Sequence, residues 1–213
     1  MNVRAKRIFR SVAYVLAAYL FLLVIFSIVR QFTMKGVAEK YIVVEAGDIL
    51  VRPNSNMLPG SSDRFWGGLT GHVALVVKGG AFSSLDENMG GIEVVEARLF
   101  NKNPFSYKNR IVRNRAVVHF GKKYYGRRYL LKMHINEERI KYVNSFIQKE
   151  KDKKYNLFSS KEDTNTYNCA TFVRRLILVT KNYDIDCNKG KIIFPNDIIN
   201  NSLFDTPNDR VRF

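Results

Sequence analysis

Hydrophobic positions dominate the start of the chain. Ser11 to Val29 reads SVAYVLAAYLFLLVIFSIV, nineteen residues without a charge, bracketed by Arg10 and Arg30. Wound as a helix at about 1.5 Å per residue, this run approaches the ~30 Å thickness of a bilayer's hydrocarbon core. Arg4, Lys6, Arg7 and Arg10 precede it, and Lys35 and Lys40 follow only later. The positive-inside bias therefore predicts a cytoplasmic N-terminus, one membrane pass and the rest of the chain on the extracytoplasmic side. The segment Arg30-Gln31-Phe32-Thr33-Met34 is a poor cleavage site, which favours an uncleaved anchor over a signal peptide. Residues 1–30 thus read as tail and anchor, 31–40 as a stalk, and 41–213 as one domain with enough chain for a single core.

From Tyr41 the pattern changes to short β-branched runs. Ile42-Val43-Val44 followed by Gly47-Asp48-Ile49-Leu50-Val51 predicts a β entry, and residues 53–71, rich in Pro, Asn, Ser and Gly, predict a loop. His72 to Val77 predicts a strand ended by Gly79-Gly80. Ile92 to Ala97, Ala116 to Phe120 and Tyr129 to Met133 predict three more, with a loop over 101–110. Asn136 is the expected cap of a helix whose apolar positions Ile140, Val143, Phe146 and Ile147 recur every three or four residues. Glu137 and Glu138 fall in its first turn, where the helix dipole favours them. After a charged turn and a polar stretch, Cys169 to Thr180 predicts a second helix. Ala170, Val173, Leu176 and Ile177 lie on one side of it, and Arg174 and Arg175 are expected to face water. Several antiparallel strands with two helices make the fold class α+β.

Charge narrows the partners. Lys and Arg total 35 against 19 acids, a formal net charge of +16. The first thirty residues hold five of the bases and no acid, so the remainder is still strongly basic. Such a surface is expected to meet an anionic one, such as lipid headgroups or a cell-envelope polymer. Nucleic acid is not expected, because no zinc-ligand spacing, basic zipper or RNA-recognition signature occurs. Cys169 and Cys187 make neither a disulfide framework nor a metal cluster, so no cofactor is expected.

Cys169 stands where a polar loop becomes an apolar helix, in Tyr167-Asn168-Cys169-Ala170-Thr171-Phe172-Val173. Free N–H groups and the positive dipole end at a helix N-terminus favour a thiolate, and nearby amides can hold an oxyanion. His72 opens a strand after a loop and is the candidate base; His119 and His134 are weaker candidates.

Five runs together carry a resemblance: Gly47-Asp48-Ile49-Leu50, Gly71-His72-Val73-Ala74-Leu75-Val76, Val94-Val95-Glu96-Ala97, Lys154-Tyr155-Asn156 and Tyr167-Asn168-Cys169-Ala170-Thr171-Phe172-Val173. In this order they resemble the circularly permuted NlpC/P60 hydrolases, the YiiX/YebB-like group above all, and are similar to the related lecithin retinol acyltransferase family. Ala170, where that group often has Ser, and the long stretch between His72 and Glu96 depart from the pattern and bear on substrate preference. The resemblance implies a papain-like fold and a site of Cys169, His72 and an acid. It implies acyl transfer through a thioester. The expected substrate is an amide or peptide bond in an envelope molecule. A lipid acyl group is the alternative, and a silent envelope-binding module is a third reading.

Pleat geometry names the acid. Side chains alternate faces along a strand, so His72, Ala74 and Val76 share one face, and Ile92, Val94 and Glu96 share another. An antiparallel register pairing Val76 with Ile92 and Ala74 with Val94 sets Glu96 opposite His72, with Glu93 pointing away. No Cys169–Cys187 bridge is expected. A helix of about twelve residues puts its ends ~17 Å apart, and the seven residues after Thr180 would have to run almost straight back.

Overall fold

The computed structural model describes residues 3–33, 40–52, 71–84, 86, 88–98, 110–121, 128–135 and 137–213. The expected loops at 53–71 and 101–110, apart from Gly71 and Arg110, most of the stalk and the Asn136 cap lie outside the described residues.

Helix α1 (Val3–Thr33) is continuous over 31 residues and forms a unit of its own. It has no polar face, and Phe9, Val12, Leu16, Leu20, Phe21 and Val24 are all exposed. The segment expected to span a membrane, 11–29, lies inside it. Among the described residues no helix is long and apolar enough to cross a membrane; the side chains of residues 3–6, 23 and 26–33 fall outside the description.

The second unit is α+β. Its strands are β1 (Tyr41–Val44), β2 (Ile49–Arg52), β3 (His72–Lys78), β4 (Gly80–Ser83), β5 (Glu93–Arg98), β6 (Arg110–Arg115), β7 (Tyr129–Leu131), β8 (Lys154–Tyr155), β9 (Thr166–Tyr167) and β10 (Arg210–Arg212). Helix α2 (Val117–Phe120) follows β6, α3 (Glu137–Glu150) follows β7, and α4 (Cys169–Lys181) and α5 (Pro195–Ile199) follow β9. Six strands make one antiparallel sheet in the order β10–β7–β2–β3–β5–β6; β1 pairs with β4, and β8 pairs in parallel with β9.

Both faces of the large sheet are covered, so its central strands are apolar throughout instead of alternating. Ile49, Val51, Val73, Leu75, Val95 and Leu131 pack against Val143 of α3 and Phe172, Val173, Leu176 and Ile177 of α4. Leu50, Ala74, Val76, Val94 and Leu130 face the other way, against Ile42, Val44, Phe82, Ala116 and Phe120. In α3, Ile140, Phe146 and Ile147 also turn to the core, as their spacing predicts.

Three expectations need correction. Residues 116–120 are not a strand. The strand runs from Arg110 to Arg115 and turns at Ala116, whose N–H donates to the Ile92 carbonyl at 2.9 Å. Phe120 N then bonds Ala116 O at 2.9 Å, and burial of Ala116 and Phe120 against the sheet overrides the β propensity of Val117-Val118. The register of β3 and β5 is also shifted. Leu75 pairs with Val95 and Val76 with Val94, because Ile92 belongs to the turn before the strand and a bulge follows Val76. Finally, Arg174 and Arg175 do not simply face water. Arg174 grips Asp184 through two bonds of 2.8 and 2.6 Å, and Arg175 donates to Asp163 O at 3.3 Å and Tyr167 Oη at 3.4 Å.

The Gly47-Asp48 pair ties the sheet to the chain beyond β7. Asp48 is buried; it accepts from Lys132 Nζ and Glu45 N, both at 2.8 Å, and from Met133 N at 3.4 Å. Burial pushes its carboxyl up, against the pull of Lys132. Gly47 sits at φ +97°, and a Cβ there would stand 2.8 Å from Ile135 Cβ, so only glycine fits.

Candidate active site

Cys169 is the first residue of α4 and is buried. The loop before it ends in a doubly satisfied cap: Asn168 Oδ1 accepts from Thr171 N at 2.7 Å, and Asn168 N donates to Thr171 Oγ1 at 2.9 Å. The Asn168 amide nitrogen also donates to Leu157 O at 3.3 Å and Ile193 O at 3.2 Å, fixing the helix start from both sides. α4 packs on β3 and β5, which brings its first turn to the end of β3 where His72 begins.

There the Cys169 thiol stands close enough to the His72 ring to act on its titration. The ring also meets an acid: His72 Nε2 and Glu96 Oε2 are 2.7 Å apart. With Nε2 taken, Nδ1 is the ring nitrogen left for the thiol. Burial pulls the imidazolium down, but the bonds to Cys169 and Glu96 and their charges outweigh it and raise His72 to about 9. Burial pushes the Glu96 carboxyl up, and the His72 bond and charge, with His119 and Asn114, overcome it and lower Glu96 to about 2. The three groups named from the sequence are therefore brought together. The expected route to that meeting is wrong in one detail. The observed register continues to set Glu96 opposite Ala74, so Glu96 reaches His72 as a diagonal neighbour. The error spans two residues, an even number, so both side chains keep their shared face. Glu93 lies apart, paired with Arg113 at 2.7 Å.

Asn114 and Tyr155, neither singled out as a site residue in the sequence, join the site, as does His119, which the sequence offered only as a weaker candidate. Asn114 Nδ2 donates to Glu96 Oε1 at 3.1 Å. His119 lies with its ring centroid 4.7 Å from that of His72 and its Nε2 3.5 Å from Glu96 Oε1. It sits on α2, not in the middle of a strand, so no strand pattern could have aimed it here. Burial and then the His72 charge hold His119 near 3. Tyr155, in β8, stands beside Cys169; burial, followed by the charge and bonding of the nearby thiol, pushes its phenol far up. Its place in the Lys154-Tyr155-Asn156 run was the available signal. His134, by contrast, is exposed and pairs with Asp209 at 3.2 Å, away from this cluster. Cys187 is a free, exposed thiol whose Sγ faces Asp197 O at 2.7 Å.

His72, Glu96 and His119 are of metal-binding type, with ligand atoms within 4.8 Å of one another. Electrostatics opposes a cation here: the positive charges of Arg52 and Arg98 act on His119 in the same space, and His72 is already engaged by Glu96 and Cys169. The arrangement suits a hydrogen-bonded relay from carboxylate through imidazole to thiol. Comparison with protein-family models, curated proteins and solved structures finds no match for the chain.

Proposed function

We propose that the chain is a thiol hydrolase, with Cys169 as nucleophile, His72 as base and Glu96 as the group that orients His72. The observation that carries this reading is the unbroken sequence of contacts from the Cys169 thiol at a capped helix start, through His72, to buried Glu96. The thiolate attacks a carbonyl and forms a tetrahedral oxyanion. The Cys169 amide and the Tyr155 hydroxyl beside the thiol are donors available to it. As the intermediate collapses, the carbon–nitrogen or carbon–oxygen bond breaks, and His72 protonates the departing amine or alcohol. His72 then takes a proton from water, which attacks the thioester and releases the acid, restoring the thiol. Glu96 stays ionised throughout and stabilises the imidazolium.

The papain-like resemblance, in its permuted NlpC/P60 form, agrees with this order of groups. The substrate class we favour is an amide or peptide bond of a cell-envelope molecule, met by a strongly basic domain tethered through residues 11–29. The exposed apolar residues described on α1, Phe9, Val12, Leu16, Leu20, Phe21 and Val24 among them, support the tether, since such a surface needs an apolar surrounding. That same tether favours the second reading, a lipid acyl substrate. Low-concentration iodoacetamide at neutral pH tests the chemistry. Cys169 should be labelled much faster than exposed Cys187, and the excess should vanish in Cys169→Ser and His72→Ala. Slow labelling of Cys169 would leave a silent binding module as the better reading.

A further inference from the structure

We propose that Lys161 is a positioning residue for Cys169: its ammonium clamps the loop 184–193, on which the Asn168 cap of α4 is seated. The consequence for turnover rests on the thiol-hydrolase reading; the clamp and its reach to the cap can be measured without it.

Lys161 lies between β8 and β9, outside the cluster of Cys169, His72 and Glu96. Its Nζ donates to Asn188 O at 2.6 Å and to Asn188 Oδ1 at 2.9 Å, and it meets Asp186 Oδ2 in a close ion pair. Three oxygens thus take the three protons of the ammonium. The Lys161 side chain is 10% exposed and that of Asp186 6%, so the pair is shielded from water. The backbone adds a further tie, Lys161 N donating to Lys191 O at 2.8 Å.

The clamped loop is built from acceptors. Asp184 Oδ1 accepts from Asp186 N at 3.0 Å, Asp186 Oδ1 from Asn188 N at 3.0 Å, and Asn188 Oδ1 from Gly190 N at 2.7 Å. Cations come to it from elsewhere in the chain: Arg174 of α4 grips Asp184, and Lys161 holds Asp186. From the clamp a path of bonds leads to the thiol. Asn188 Nδ2 donates to Ile192 O at 3.1 Å and to Asp197 Oδ2, which also accepts from Phe194 N at 2.7 Å. These bonds fix the chain on both sides of Ile193, whose carbonyl accepts from Asn168 Nδ2 at 3.2 Å. Asn168 caps α4 through Thr171 N at 2.7 Å, and Cys169 is the next residue. Without the ammonium, Asp186 would be a shielded carboxylate with its charge uncompensated. The loop would then open toward water and draw the Ile193 carbonyl away from the cap.

The test is a double-mutant cycle in the detergent-solubilised full chain: Lys161→Met, which keeps the stem and drops the charge, Asp186→Asn, and the two together. Iodoacetamide labelling of Cys169 is followed against pH, with free glutathione as the reference because Cys187 lies in the loop itself. Lys161→Met should slow Cys169 labelling on the order of tenfold and move the acid limb of its pH profile upward, since a loosened helix start favours the thiolate less. Asp186→Asn should slow it less. The double variant should label faster than Lys161→Met, because no carboxylate is left uncompensated. A double variant slowed by the product of the two single factors overturns the proposal. So does a Lys161→Met profile matching the parent beside a lower melting temperature, which is what a merely structural clamp gives. Should Lys161→Met fail to fold, Asp186→Asn decides alone, by the same shift of the acid limb or its absence. Should the parent Cys169 label no faster than Cys187, the hydrolase reading fails. The amide proton of Thr171 then still decides: its shift moves in Lys161→Met and in Asp186→Asn if the clamp reaches the cap, and stays if it does not.

Discussion

Glu96 Oε2 meets His72 Nε2 at 2.7 Å from a diagonal position on the neighbouring strand, with the carboxylate fully buried. The contact occupies Nε2, which leaves Nδ1 of the same ring for the thiol at the start of α4. Because a buried charge is costly unless paired, each member of this set depends on the others.

Replacing Glu96 by Gln keeps size and removes the charge. The variant should fold, and Cys169 labelling and turnover should fall roughly ten- to a thousand-fold, less than the loss in Cys169→Ala. The pKa of His72, followed by NMR, should drop, since both the bond and the charge of Glu96 raise it. An unchanged labelling rate defeats the assignment.

Stability should depend on pH through His72. Its folded value of about 9 lies above the ordinary 6.5, so protonation stabilises the fold fully below 6.5, and that contribution is lost as pH rises through 9. Melting temperature should therefore decline across this window in the parent and decline less in His72→Gln. Glu96 acts in the opposite sense, its contribution being present above 4.5 and lost as pH falls through about 2.

Asn168→Ala removes the side-chain half of the α4 cap and two further bonds to Leu157 and Ile193 carbonyls. A cost of about 1–2 kcal/mol is expected from the cap alone, read by chemical denaturation. Cys169 labelling should slow as well, because the first turn of α4 carries the thiol.

Gly47→Ala should destabilise by about 1–3 kcal/mol, since φ +97° disfavours any side chain and Ile135 stands in the way. A thermal melt within a degree or so of the parent would show that the chain relaxes around the methyl group.

Removing residues 1–33 should release the protein from the membrane fraction, and a reporter fused after Phe213 should report an extracytoplasmic position. A cytoplasmic reporter signal would overturn the topology drawn from Arg4, Lys6, Arg7 and Arg10.

Local physics made much of this protein readable from its sequence. Periodicity placed α3 and α4, the Asn168-Cys169 boundary marked a helix start, and β-branched runs gave β2, β3 and β5 within a residue or two. The alternation of faces put His72 and Glu96 on the same side, a conclusion that survives any even shift of register. What sequence could not decide were quantities set by contacts distant along the chain. The register of β3 against β5 depends on where Ile92 turns and where a bulge relieves the strand after Val76. Val117-Val118 has the composition of a strand, yet it becomes a helical turn because Ala116 and Phe120 bury themselves on the sheet and Ala116 N finds the Ile92 carbonyl. That single tertiary choice lifts His119 out of the sheet plane and over Glu96, and no pattern within five residues of His119 contains the information.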